Sequence, residues 1–168
     1  SVSGIVEVKN LKRNIGAKVN DTLFLTKPLG IGILSTAQKK KIVSANDYAT
    51  AVKQMCTLND IGYKLAAIHG VNAVTDITGF GLGGHLLEVC KGSNTSAEIS
   101  FDTLPLLPNI LKYIENDCVP GGTQRNFDSY GDQISRLSNL ERSIICDPQT
   151  SGGLLVSVSN EALGEFEK

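Results

Sequence analysis

The stretch richest in chemistry is Val74-Thr-Asp-Ile-Thr-Gly-Phe-Gly-Leu-Gly-Gly-His85. An apolar run leads into it and a helix-forming run leaves it. Its glycines, Gly79, Gly81, Gly83 and Gly84, let a backbone turn tightly and come close to a ligand. Amides at a helix N-terminus attract anions. Asp76 stands where the strand gives way to the loop, where an open carboxylate can hold a hard cation. Mg2+ takes one or two carboxylates together with phosphate oxygens and water. Thr75 and Thr78 add hydroxyls. The glycine spacing is not that of a dinucleotide fingerprint, and the lysine signature of a phosphate-binding loop is absent. The same residues also suit a tight strand-to-helix turn with Asp76 as the helix N-cap.

Two further strings share this character. Pro120-Gly-Gly-Thr-Gln-Arg-Asn126 exposes amides and a hydroxyl, and Arg125 offers a bidentate fork to phosphate or carboxylate. An ordinary loop with an exposed arginine has the same composition. Cys146-Asp-Pro-Gln-Thr-Ser-Gly-Gly-Leu154 runs straight into an apolar strand, with Pro148 stiffening its entry and Gly152 and Gly153 freeing its exit. It reads equally as a turn fixing strand register, with Asp147 a cap or a ligand. His69, before Gly70, suits a helix C-terminus. His85 can donate to a ligand or pack against the glycine loop. No Ser-His-Asp, Cys-His or histidine-rich metal arrangement is readable, so no residue takes a catalytic role. Cys56, Cys90, Cys118 and Cys146 contain no CxxC pair, which predicts reduced, mostly buried thiols of a cytoplasmic protein.

The elements that must position these strings follow from periodicity. Residues 22–28 predict a strand, stopped by Pro28, and an apolar, glycine-containing stretch follows to residue 34. Lys39, Lys40 and Lys41 read as a solvated helix end. Ala51, Met55, Leu58, Gly62, Leu65 and Ala66 recur at spacings of three and four, predicting one helix capped by Asn46 and ended by Gly70. Residues 71–75 predict a strand, 76–84 a loop, and a helix begins at 85. Ala97, Ile99 and Phe101 alternate as a half-buried strand. Pro108 opens a helix with Ile110, Leu111 and Ile114 as its stripe. Residues 119–153 predict only short structure, 154–158 a strand, and Ser159 caps a last helix. Strands interleaved with helices predict an α+β domain, a mixed sheet flanked by helices.

With 168 residues, 16 Lys+Arg against 17 Asp+Glu and 41% hydrophobic content, the chain has material for one core. A formal charge of -1 argues against nucleic acid, whose phosphates need a basic surplus. No apolar run approaches the ~18 residues of a membrane span. The lead-in lacks a Met, and the final helix has only about two and a half turns. The expectation is therefore a single domain over residues 1–168 belonging to a longer chain.

The three glycine strings, and Leu23-Phe-Leu-Thr-Lys-Pro-Leu-Gly-Ile-Gly-Ile33 before them, closely resemble the selenophosphate synthetase (selenide, water dikinase) family in order and approximate spacing. The Asp-x-Thr-Gly-Phe-Gly part is shared with the wider AIR synthase superfamily, and Cys-Asp-Pro-Gln-Thr-Ser-Gly-Gly narrows it. The resemblance implies the C-terminal domain of an AIR synthase-like fold. It also implies a dimeric enzyme that makes selenophosphate from selenide, ATP and water, releasing AMP and phosphate, with Mg2+. By that resemblance Asp76 is a metal ligand, with Thr75, Thr78, Gly79 and Gly81 in the loop around it. Gly121, Gly122, Thr123 and Arg125 lie near the nucleotide cleft. Cys146 does not match the family nucleophile, which belongs with a lysine and most of the metal-binding aspartates to an N-terminal domain. The isolated chain is expected to be inactive. A non-catalytic paralogue of the same fold, another enzyme of the superfamily, or a nucleotide sensor remain the alternatives.

Overall fold

A computed structural model describes residues 4–167. Its elements are β1 (Thr22–Leu25), α1 (Ile31–Lys39), α2 (Ala45–Cys56), α3 (Ile61–Ala67), β2 (Val71–Asp76), α4 (Gly81–Ser93), α5 (Ile110–Glu115), α6 (Gly121–Tyr130), α7 (Asn139–Ile145), β3 (Leu154–Val158) and α8 (Leu163–Phe166). The three strands form one sheet in the order β1-β3-β2. Both pairings are antiparallel, and the parallel component of the expected mixed sheet is a single isolated bridge, Leu29 to Leu106.

The sheet buries both faces, as its alternation requires. Leu155 and Ala73 face Leu82, Leu86 and Val89 of α4 and Ile144 of α7. Val156, Val158 and Val71 face Leu65 of α3 and Ala162. Residues 71 and 73 would share a face in a regular strand; the register shift between them sends each to a different core. A separate cluster joins Ile31, Ile33, Leu34 and Ala37 of α1 to Ala51 of α2 and to Ile110 and Tyr113 of α5. Asp47 lies buried beside this cluster, accepting from the Tyr113 hydroxyl at 2.6 Å, Ser44 at 2.8 Å and Asn109 at 3.0 Å. These hydrogen bonds, the one from Tyr113 above all, hold its carboxyl below the usual carboxylate range.

The single helix expected from residue 46 to 70 is two helices, and its cap is Ser44, not Asn46. Leu58, counted in the apolar stripe, is exposed. The chain breaks there because two groups pull it sideways. Lys27 Nζ donates to the Thr57 carbonyl at the end of α2 (2.6 Å) and to the Ser151 carbonyl (2.9 Å), while Asn59 Nδ2 donates to the Gly152 carbonyl at 2.9 Å. The strand expected at 97–101 does not form. Ile99 and Phe101 pack on the core as their alternation implied, but the Thr103 amide and hydroxyl both bond the Ser100 carbonyl, which winds the backbone into a 3-10 turn at Phe101–Thr103. The segment 119–153, expected to hold only short structure, contains the ten-residue α6. It also contains α7, opened by a Ser138–Glu141 capping box.

Candidate functional site

β1 and β2 end, and β3 begins, at one end of the sheet. Asp76 pairs with Leu154, and the Thr26 amide donates to the Leu154 carbonyl. That end therefore carries Lys27, Asp76 and the 146–153 segment together. Asp76 is exposed there, and its carboxylate accepts no hydrogen bond and forms no ion pair among the described residues. It is not the cap of α4, whose N-cap position is Phe80.

The loop after Asp76 is fixed from below. The Ile77 amide donates to the Gly153 carbonyl at 2.8 Å, and the Gln149 and Gly81 amides both donate to the Thr78 carbonyl at 3.0 Å. Thr78 Oγ1 lies 3.1 Å from His85 Nε2, and the His85 ring sits edge-on to Phe80. His85 is buried, so its role is packing against this loop. His69 lies in the exposed turn after α3.

Helix α6 holds the far side of the same loop. Asn126 Nδ2 donates to the Gly79 carbonyl at 2.8 Å and to the Cys146 carbonyl at 3.0 Å, and the Tyr130 hydroxyl donates to the Phe80 carbonyl at 2.7 Å. Burial holds the Tyr130 phenol far above its ordinary pKa, so it remains a donor at any working pH. Burial likewise raises the Cys146 thiol, the opposite of what a nucleophile needs. Tyr130→Phe removes the bond to Phe80 and the hydroxyl's contact with the Cys146 thiol and should cost about 1 kcal/mol in urea unfolding; an unchanged midpoint would show that water replaces that hydroxyl without loss.

The four glycines have different jobs. Only Gly79 faces open space. At Gly81, with φ +70°, a Cβ would meet the Ile145 carbonyl oxygen at 2.8 Å; at Gly83 and Gly84 it would meet the Tyr130 ring at 3.1 and 3.0 Å. Three of them thus serve the close approach of α4 to the 145–147 backbone and to Tyr130, not the approach of a ligand.

The Cys146-Asp-Pro-Gln string caps α1. Gln149 Oε1 accepts from the Gly30 and Ile31 amides at 3.2 Å, and Asp147 Oδ2 accepts from the Gly32 amide at 3.1 Å. Asp147 is therefore a cap, supplied from a distant part of the chain. At the other end of this network, Gly121 and Gly122 open α6, with Gly122 against Pro148 and the exposed Arg125 guanidinium folded back beside both glycines. Thr123 is buried and its hydroxyl has no partner among the described residues.

The structure thus joins Thr75, Asp76, Thr78 and Gly79 in one exposed turn and places Gly121, Gly122 and Arg125 at the start of α6. Gly81 and Thr123 lie inside the packing. Sequence reasoning passed over Asn126 and Tyr130, whose side chains hold the turn in place. Their available signal was the helical spacing of 123, 126 and 130, carried by polar residues.

Among the described residues no group of three or more His, Cys, Asp or Glu could hold a metal ion. The exposed, unpaired Asp76 fits a Mg2+ site as one contributed carboxylate, since Mg2+ needs few protein ligands.

Residues 18–168 match the C-terminal domain of AIR synthase related proteins, and the chain belongs to that family. Its sequence is 55% identical, over 99% of its length, to selenide, water dikinase of Shewanella sp. (strain ANA-3), and 56% identical over the same share to that of Shewanella baltica (strain OS155 / ATCC BAA-1091). It spans 47% of each of those proteins. The fold is also that of part of thiamine-monophosphate kinase. The Stenotrophomonas maltophilia K279a structure superposes with a TM-score of 0.60 at 15% identity, over 93% of this chain and 45% of that one. The Aquifex aeolicus structure gives 0.56 at 16% identity, over 89% and 45%. Among the described residues no helix is long and apolar enough to cross a membrane.

Proposed function

We propose that this chain is the part of a selenide, water dikinase that presents one carboxylate, Asp76, and the backbone of its loop to Mg-ATP. The carrying observation is an exposed carboxylate without a protein partner among the described residues, on a turn tied down at three points by two segments, α6 (Asn126) and 146–153 (Gln149 and Gly153). Thr75, Thr78 and Gly79 line the approach, and Gly121, Gly122 and Arg125 meet the phosphates from α6. When bound, Mg2+ would neutralise charge developing on the transferring phosphoryl group. This chain's residues orient the nucleotide, and the rest of the metal cradle and the reacting groups come from the other half of the enzyme. On this reading the complete protein is a cytoplasmic homodimer acting on ATP and selenide.

The test is a chimera in which this chain replaces the matched half of the Shewanella sp. ANA-3 enzyme. The chimera should convert ATP and selenide to selenophosphate, AMP and phosphate, and the 168-residue chain alone should not. A folded but inert chimera that still binds Mg-ATP would instead make the domain a nucleotide-binding module. Turnover by the chain alone would refute the division of labour.

A further inference from the structure

Asn126 is 7% exposed and spends both amide protons on carbonyls of two different segments, Gly79 and Cys146. The consequence lies on the other side of the loop. In a trans peptide the carbonyl of one residue and the N–H of the next point in opposite directions, and no peptide bond among the described residues is cis. With the Gly79 carbonyl drawn toward α6, the Phe80 N–H is turned away from α6. The neighbouring peptide planes are held too. The Phe80 carbonyl takes the Tyr130 hydroxyl, and the Thr78 carbonyl takes the Gln149 and Gly81 amides. Gly79 and Phe80 are exposed, and among the described residues the Phe80 amide donates to no protein group.

We infer that Asn126 is a positioning residue that sets the 79–80 peptide plane, so that the Phe80 N–H donates to an anionic phosphate oxygen of the nucleotide held at Asp76. The inference rests on the nucleotide reading proposed above. It concerns the side-chain amide specifically, because a carboxylate of the same size has no proton to give the Gly79 carbonyl. The peptide would then lose the bond that selects its orientation.

The chimera gives the test. Asn126→Asp should raise the KM for Mg-ATP about tenfold, the size expected when a supporting hydrogen bond is lost. Its melting temperature should fall, since two buried hydrogen bonds are lost, while the KM for selenide of the folded enzyme should not change. An unchanged KM for Mg-ATP in a folded variant overturns the inference. A readout independent of variant folding is the Phe80 amide resonance of the wild-type chimera. It should shift downfield on adding Mg2+ with a non-hydrolysable ATP analogue, and a resonance that stays put overturns the inference whatever the variant does. Asp76→Asn separates the two levels. If it is impaired while Asn126→Asp and the Phe80 resonance are unaffected, only the positioning role falls. If Asp76→Asn keeps normal Mg-ATP kinetics, the nucleotide reading falls and takes the inference with it.

Discussion

Asp76→Asn in the chimera should lower kcat/KM for Mg-ATP by on the order of a thousandfold, which is about 4 kcal/mol of transition-state stabilisation, while leaving the melting temperature nearly unchanged. The asymmetry follows from where the side chain stands. Asp76 is exposed and bonded to nothing among the described residues, so the fold asks nothing of its charge. Its backbone does the structural work in the ladder with Leu154. Asparagine keeps the size and one oxygen but removes the negative charge that a divalent cation needs. Raising the Mg2+ concentration should recover part of the lost rate if the carboxylate is a ligand. A variant as active as wild type would remove the metal role. A variant that unfolds would make Asp76 a structural residue after all.

How far the sequence spoke can be judged at particular residues. Strands β1, β2 and β3 were legible because each is a short apolar run bounded by Gly, Pro or Asp. Asp76 was legible because a carboxylate at the end of an apolar strand, before glycines, has little reason to be buried. The glycines were legible as a cluster but not as individuals. Their purpose depends on Tyr130 and on the 145–147 backbone, dozens of residues away. Helix α6 was hidden because its inward stripe is Thr123, Asn126 and Tyr130, and apolar periodicity does not register a helix that buries hydrogen-bonding groups. The break at 57–60 was hidden for a related reason. The groups that draw the chain aside there, Lys27 on the Thr57 carbonyl and Asn59 on the Gly152 carbonyl, bond across 30 and 93 residues of sequence. What escaped was, apart from the local 3-10 turn that Thr103 and Ser100 set at Phe101–Thr103, a polar contact between segments far apart in the chain, where burial is decided by a partner and not by the residue's own type.

The Cys146-Asp-Pro-Gln string was singled out for chemistry, and its carboxyl should reveal itself instead in the pH dependence of stability. Asp147 is wholly buried. Its Oδ2 takes the Gly32 amide and, at 2.7 Å, Gln149 Nε2, while Oδ1 has no partner among the described residues. The approach is so close that a Cβ on residue 32 would lie 2.4 Å from Oδ1 and 2.6 Å from the Pro148 carbonyl oxygen, so Gly32 is the one residue that admits it. Burial outweighs these hydrogen bonds and pushes the carboxyl up to about 7 from its ordinary 3.8. The folded state therefore holds this proton where the unfolded chain has released it. The stabilisation is complete below pH 4 and is lost progressively as pH rises from about 4 to about 7, amounting at most to on the order of 4 kcal/mol. Asp147→Asn keeps an oxygen for the Gly32 amide and cannot ionise. In urea unfolding at pH 5, 6, 7 and 8, wild type should lose stability relative to Asp147→Asn at each step up to pH 7, and the gap should level off beyond it. Asp47 and Glu141 carry lowered pKa values and lose their stabilising contributions toward acid instead. They are present in both proteins and cancel in the difference. Parallel profiles would mean that the carboxyl titrates as in the unfolded chain, and the buried cap on α1 would then have to be hydrated.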